Sequence, residues 1–111
     1  MPFKVRLQPA AVDDLGEAFK YAAQHAPLTA TKWLERFHQE IGERLSYEPT
    51  HCQLAAEDKR SDRTIRQYLF GKRPNIYRVI FTIDADTVWI LRIRRAQRRP
   101  LSRKQLGEPN E

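Results

Sequence analysis

The chain has 111 residues, 41% of them hydrophobic, and carries 20 Lys and Arg against 14 Asp and Glu, a net charge of +6. That length holds one domain with a modest core and not two, and the basic balance points to a polyanionic partner, either nucleic acid or an acidic protein. No apolar run is long enough to span a membrane, the opening MPFKVRLQPA lacks a signal-peptide h-region, and the single Cys52 has no partner for an internal disulfide, so a cytoplasmic setting without membrane contact is expected.

Phe3, Val5 and Leu7 alternate with Lys4 and Arg6, which predicts a first strand. Gln8-Pro9 ends it, and Pro9 suits the first turn of a helix. Val12, Leu15, Ala18, Phe19 and Ala22 then recur at helical spacing to about His25, with Asp13, Asp14 and Glu17 toward the end of the dipole that favours them. Ala26-Pro27-Leu28 reads as a break, and Thr29 as the N-cap of a second helix. Its apolar stripe is Ala30, Trp33, Leu34, Phe37, Ile41 and Leu45, and Arg36, Glu40 and Arg44 have i,i+4 spacing on its wet side. So short a link makes the two helices antiparallel neighbours. Residues 50–63 show no period and read as a loop with a helical turn.

A short strand from Ile65 to Phe70 follows, and then the strongest strand pattern in the chain. Tyr77, Val79, Phe81 and Ile83 alternate with Arg78, Ile80 and Thr82; after Asp84-Ala85-Asp86, Trp89, Leu91 and Ile93 alternate with Val88, Ile90, Arg92 and Arg94. A three-residue turn would pair Phe81 with Trp89, Val79 with Leu91 and Tyr77 with Ile93, closing one apolar face. It would also set Arg78 opposite Arg92, an unfavourable like-charge pair that a fold tolerates if an anion belongs there. Arg66 and Tyr68 share a parity and face in the preceding strand. Pro100 stops the last strand, and Leu101 to Leu106 has the pattern of a weak helix. The order strand, helix, helix, strand, strand, strand describes an α+β domain, a helical hairpin packed on a small, largely antiparallel sheet. A single domain over residues 1–106 and a flexible tail over 107–111 are expected.

Charge is unevenly placed. Acids and bases roughly balance up to Glu57, whereas from Asp58 to Lys104 only Asp58, Asp62, Asp84 and Asp86 oppose a run of arginines and lysines. His51-Cys52 is the one adjacent pair of soft ligands, no Gly-rich phosphate loop occurs, and Asp84 and Asp86 suit a turn for backbone reasons. No metal or cofactor is expected. With no histidine after His51, acid–base chemistry on the basic face would fall to Tyr68, Tyr77 or Lys72, and an arginine such as Arg78 would stabilise a phosphorane-like transition state without titrating.

The element order, the run Arg66-Gln-Tyr-Leu-Phe-Gly71-Lys-Arg-Pro-Asn-Ile-Tyr77-Arg78-Val-Ile-Phe81, and the ending Val88-Trp-Ile-Leu-Arg-Ile93-Arg-Arg-Ala-Gln-Arg98-Arg99 resemble the RelE/ParE superfamily of type II toxins. The resemblance covers Phe3 to Arg99. It implies a cytoplasmic bacterial toxin, of the kind linked to plasmid stabilisation and growth inhibition, held in a hetero-oligomer by a small acidic antitoxin. It also implies one of two targets. RelE-like members cleave mRNA on the ribosome without a metal, and for that activity Arg78 and Arg98 match the family's arginines, with Tyr68 as the assisting phenol. The catalytic tyrosine that should follow Arg98 is missing from Pro100-Leu-Ser-Arg-Lys104, and the paired lysines of the second strand are missing too. The spacing from Arg66 through Gly71 to Arg78 is closer to the ParE branch, whose members inhibit DNA gyrase by binding, although Arg95-Ala96 stands where many of them have His-Gly. The ParE-like reading therefore leads, with target-binding residues Arg66, Arg78, Arg92, Arg94, Arg95, Arg98 and Arg99. The ribosome-dependent endonuclease and a non-toxic nucleic-acid-binding domain are the alternatives.

Overall fold

The computed structural model describes residues 2–107. Strand β1 (Lys4–Leu7) leads into helices α1 (Pro9–His25) and α2 (Pro27–Tyr47); short 3₁₀ turns at 49–51 and 56–60 flank β2 (Gln53–Leu54); β3 (Arg66–Lys72), β4 (Asn75–Asp84), β5 (Thr87–Arg95) and a one-turn α3 (Arg103–Leu106) complete the chain. The fold is α+β as expected, with one five-stranded sheet in the order β1-β5-β4-β3-β2. The sheet is wider than the pattern implied, because β1 joins it parallel to β5 and β2 adds an edge beside β3. Residues 108–111, most of the expected tail, lie outside the described residues.

The helices form where the apolar periods place them. Ala11, Leu15 and Ala18 of α1 and Ala30, Phe37, Ile41 and Leu45 of α2 are buried. Val12, assigned to the stripe, is instead 54% exposed. Pro27 does not break the chain; it occupies the first turn of α2, with Ala26 as N-cap in place of Thr29. Proline is tolerated there because that N–H has no intrahelical acceptor to lose. Between helices and sheet, Trp33, Phe37, Phe70 and Tyr77 stack edge to face or offset, with ring centroids 5.1 to 5.9 Å apart.

The hairpin register differs from the expectation. The loop has two residues, so that Asp84 pairs with Thr87, Ile83 with Val88 and Phe81 with Ile90. Ala85, first in that loop, sits at φ 54. A bulge then inserts Leu91, after which Ile80 faces Arg92, Val79 faces Ile93 and Arg78 faces Arg94. The expected Arg78–Arg92 opposition does not form. The bulge also changes the side each residue faces. Val88 and Ile90 join Val79, Phe81 and Ile93 under the helices, while Leu91 and Trp89 turn to the opposite face. One extra residue reverses the alternation without breaking the strand, so Trp89, Leu91 and Ile93 do not share a face.

The opposite face is therefore not a bare layer of arginines. Ile80 and Leu91 pack there with Ala55, Ile65, Leu101 and Leu106 in a second small core. The C-terminal segment crosses this face and ends in α3, whose Ser102 and Gln105 form a reciprocal cap.

Candidate functional site

The seven arginines expected to bind the target occupy four different settings, set by where each lies on or beyond its strand. Arg78 lies in the middle of β4 on the face away from the helices. Its side chain is 8% exposed. Nη1 and Nη2 donate to the two carboxylate oxygens of Glu57 at 2.9 and 2.8 Å, and Nη1 also reaches Oε1 of Gln67 at 3.0 Å. Glu57 is fully buried and accepts a further bond from the Leu101 N–H at 2.8 Å. Burial alone would push its carboxyl up, but the bonds from Arg78 and Leu101 and the nearby positive charge outweigh burial and hold its pKa below the usual carboxylate range. Arg78 is thus one half of a buried ion pair that also anchors the C-terminal segment.

Tyr68 lies on the other face of the sheet. It pairs with Val79, under the helices, and donates to Oε2 of Glu40 on α2 at 2.6 Å. Glu40, spaced to pair with Arg36 and Arg44, accepts the phenol instead. Burial and then the Glu40 carboxylate push the Tyr68 hydroxyl up to about 12. Arg66 shares that side of β3 and donates to the Cys52 carbonyl at 2.7 Å.

Arg92 forms a forked ion pair with Asp14 of α1, Nε and Nη2 to the two carboxylate oxygens at 2.7 and 3.0 Å. The same carboxylate accepts the Ile93 N–H at 2.9 Å, where β1 has already ended and that edge of β5, opposite β4, has no strand beside it. Asp14, spaced to favour the helix dipole, is a tertiary contact.

The remaining four arginines gather at the end of β5. Arg94 donates to the Arg99 carbonyl at 3.1 Å. Arg95 donates from Nη2 to Oδ1 of Asn75 at 3.0 Å, and its guanidinium lies 5.7 Å from the centroid of the Tyr21 ring. Arg98 and Arg99 are exposed. Arg94, Arg95 and Arg98 line a hollow of about 330 Å³ together with Asp14, Glu17, Ala18, Tyr21, Tyr77 and Ile93. A second hollow of about 390 Å³ adjoins it and shares Ala18, Tyr21 and Tyr77; His25, Ala30 and Trp33 are among its other walls. Of the sequence-derived site residues, then, the structure groups Arg94, Arg95, Arg98 and Arg99. It separates Arg66 and Tyr68 from Arg78, and commits Arg78 and Arg92 to acidic partners. Glu57, Asp14 and Tyr21 define these settings, and no motif marked them. Glu57 sits in an aperiodic stretch, and the other two look like ordinary residues of an amphipathic helix.

No group of three or more His, Cys, Asp or Glu positioned to hold a metal occurs among the described residues. No helix among them is long and apolar enough to cross a membrane.

The sheet order, the helical hairpin and the arginine-rich end of β5 describe a small basic α+β domain with a cationic edge. The family model for the ParE toxin of the type II toxin–antitoxin system parDE matches residues 5–100, and the chain belongs to that family. Among solved structures it is similar to one of the chromosomal ParDE toxin–antitoxin system from P. aeruginosa, with a TM-score of 0.69 and 16% identity over 86% of this chain and 97% of that one. That likeness is one of fold. No curated protein sequence matches.

Proposed function

We propose that the protein arrests bacterial growth in the cytoplasm by binding DNA gyrase, with no catalytic step of its own, and that a cognate acidic antitoxin neutralises it. One observation favours this over ribosome-dependent mRNA cleavage. The three residues that would make up a nuclease site do not converge: Tyr68 faces the helices, Arg78 is buried on the opposite face, and Arg98 lies beyond the end of β5. A phenol raised to about 12 is also a poor general base near neutral pH. The exposed arginines instead form a surface suited to electrostatic capture of a partner.

The purified protein should inhibit gyrase supercoiling, and its expression should induce the SOS response and filamentation while mRNA stays intact. Rapid translation arrest with cuts at codon positions, and gyrase unaffected, would overturn this reading in favour of the RelE-like nuclease. No growth defect from the free protein would count against both.

A further inference from the structure

We propose that Asn75 and Tyr21 are positioning residues that hold Arg95 ready for contact with the target, and that Arg95 serves that contact and not the fold. The inference rests on the gyrase reading for the identity of the target alone: the Arg95 guanidinium meets an oxygen acceptor on the gyrase protein.

The strands bring these side chains together. Tyr77 pairs with Arg95 across β4 and β5, and Asn75 stands two residues before Tyr77, so all three share the face under the helices. Tyr21 reaches the same place from α1. Arg95 donates from Nη2 to Oδ1 of Asn75 at 3.0 Å, and its guanidinium lies 5.7 Å from the centroid of the Tyr21 ring. An amide oxygen and an aromatic face orient a guanidinium without neutralising it. Arg98 and Arg99 are exposed and have to be ordered on binding, whereas Arg95 is already held and has little rotamer freedom left to lose.

Burial and charge separate Arg95 from the arginines that serve the fold. Arg78 and Arg92 each fork onto a carboxylate and tie the sheet to another part of the chain. Among the described residues Arg95 has no carboxylate within ion-pair distance, and Asp14, which lines the same hollow, is committed to Arg92. Its one hydrogen bond within the chain goes to a neutral amide. Nε is buried with no acceptor, and Arg94 and Arg98 line the same hollow as like charges. A buried, unsatisfied donor on a cation without a counter-charge lowers stability, and a single bond to an amide offsets little of that. An arginine unfavourable to the fold and fixed in direction fits a binding contact. A fixed direction suits a fixed acceptor on a folded protein surface, whereas a phosphodiester chain attracts mobile cations equally well.

The test follows growth arrest by the full chain expressed without antitoxin, gyrase binding by the purified chain, and the melting curve of each variant. Arg95→Met should melt at the same temperature or higher and lose about tenfold or more in gyrase affinity. Asn75→Asp supplies a counter-charge inside the chain and should act in the same direction on both measurements. Asn75→Ala and Tyr21→Leu should each weaken binding about threefold. Neither should have any effect once Arg95→Met is present, a coupling that a merely structural role would not produce. A clear fall in the melting temperature of Arg95→Met, undiminished affinity, or additive effects of Asn75→Ala and Arg95→Met would overturn the proposal. So would an Arg95→Met defect that appears only when gyrase holds DNA, because the acceptor would then lie on the nucleic acid. If the original chain does not bind gyrase, the gyrase reading fails by itself. Growth arrest then decides the roles of Arg95, Asn75 and Tyr21: loss of arrest in Arg95→Met with an unchanged or raised melting curve upholds them, and retained arrest overturns them.

Discussion

Glu57→Gln keeps the size of the side chain and leaves the Arg78 charge buried without a counterion. Breaking one side of a buried pair costs about 3–5 kcal/mol, and the forked geometry at 2.8 and 2.9 Å, with Glu57 fully buried, places this pair in that class. The Leu101 N–H keeps an amide oxygen as acceptor, so its bond weakens without disappearing. For a domain near 100 residues each kcal/mol corresponds to about 4–8 °C in Tm, and a loss of about 3 kcal/mol implies a fall of roughly 15 °C. Against a total stability of about 5–15 kcal/mol, that approaches unfolding at growth temperature. The double variant Glu57→Leu with Arg78→Met removes both charges and should return to within about 1 kcal/mol of the original chain. With Glu57→Leu and Arg78→Met also measured alone, urea denaturation followed by circular dichroism gives all four corners of the cycle. If Arg78→Met leaves stability within about 1 kcal/mol and abolishes growth arrest, Arg78 serves the target and the structural assignment is wrong.

Three further outcomes follow from the same geometry. The Glu57 carboxyl is depressed in the folded chain, so its contribution is present above its unfolded pKa of about 4.3 and is lost as pH falls through the folded value; acid unfolding of Glu57→Gln should lack that part of the slope. Tyr68 behaves in the opposite sense: its neutral form is favoured in the fold, so its contribution is intact below an unfolded pKa of about 10 and fades as pH rises through about 12. In an ultraviolet titration Tyr68→Phe should remove the latest phenolate step, and loss of an earlier step would contradict the Glu40 contact. Gly71, at φ 103, has a Cβ position only 2.5 Å from the Asn75 carbonyl oxygen; Gly71→Ala should cost about 2 kcal/mol or more, and a neutral result in denaturant would show that this turn relaxes easily.

Much of the architecture lies in simple periods. The stripes of α1 and α2 and the alternation of Tyr77, Val79 and Phe81 place the first core where it is found. The hairpin register failed for a specific reason. A two-residue loop without a bulge would set Val79 against Arg92, and a three-residue loop avoids that conflict. The chain resolves it by inserting Leu91, and nothing in Ile90-Leu91-Arg92 distinguishes a bulged leucine from a paired one. Ala85 at φ 54 also lacks the Gly or Asn that announces a tight hairpin turn. The second core was invisible because Ala55 comes from an aperiodic stretch and Leu101 and Leu106 from a weak helical one, and they meet Ile65, Ile80 and Leu91 only on the sheet. For the same reason Arg78, conspicuous as a positive charge in a strand, carried no sign of the glutamate buried against it.

The Asp14 carboxylate has one more consequence. β1 ends opposite Ile90, and beyond it β5 would present open backbone donors to any passing strand. Exposed edges of that kind recruit other chains and seed aggregation. Asp14 fills the Ile93 N–H and neutralises Arg92 beside it, so a single side chain from the helical layer shields that edge from a second sheet. Asp14→Ala should therefore reveal itself less in the melting curve of dilute protein than in its solubility, through filaments or precipitate that appear as concentration rises.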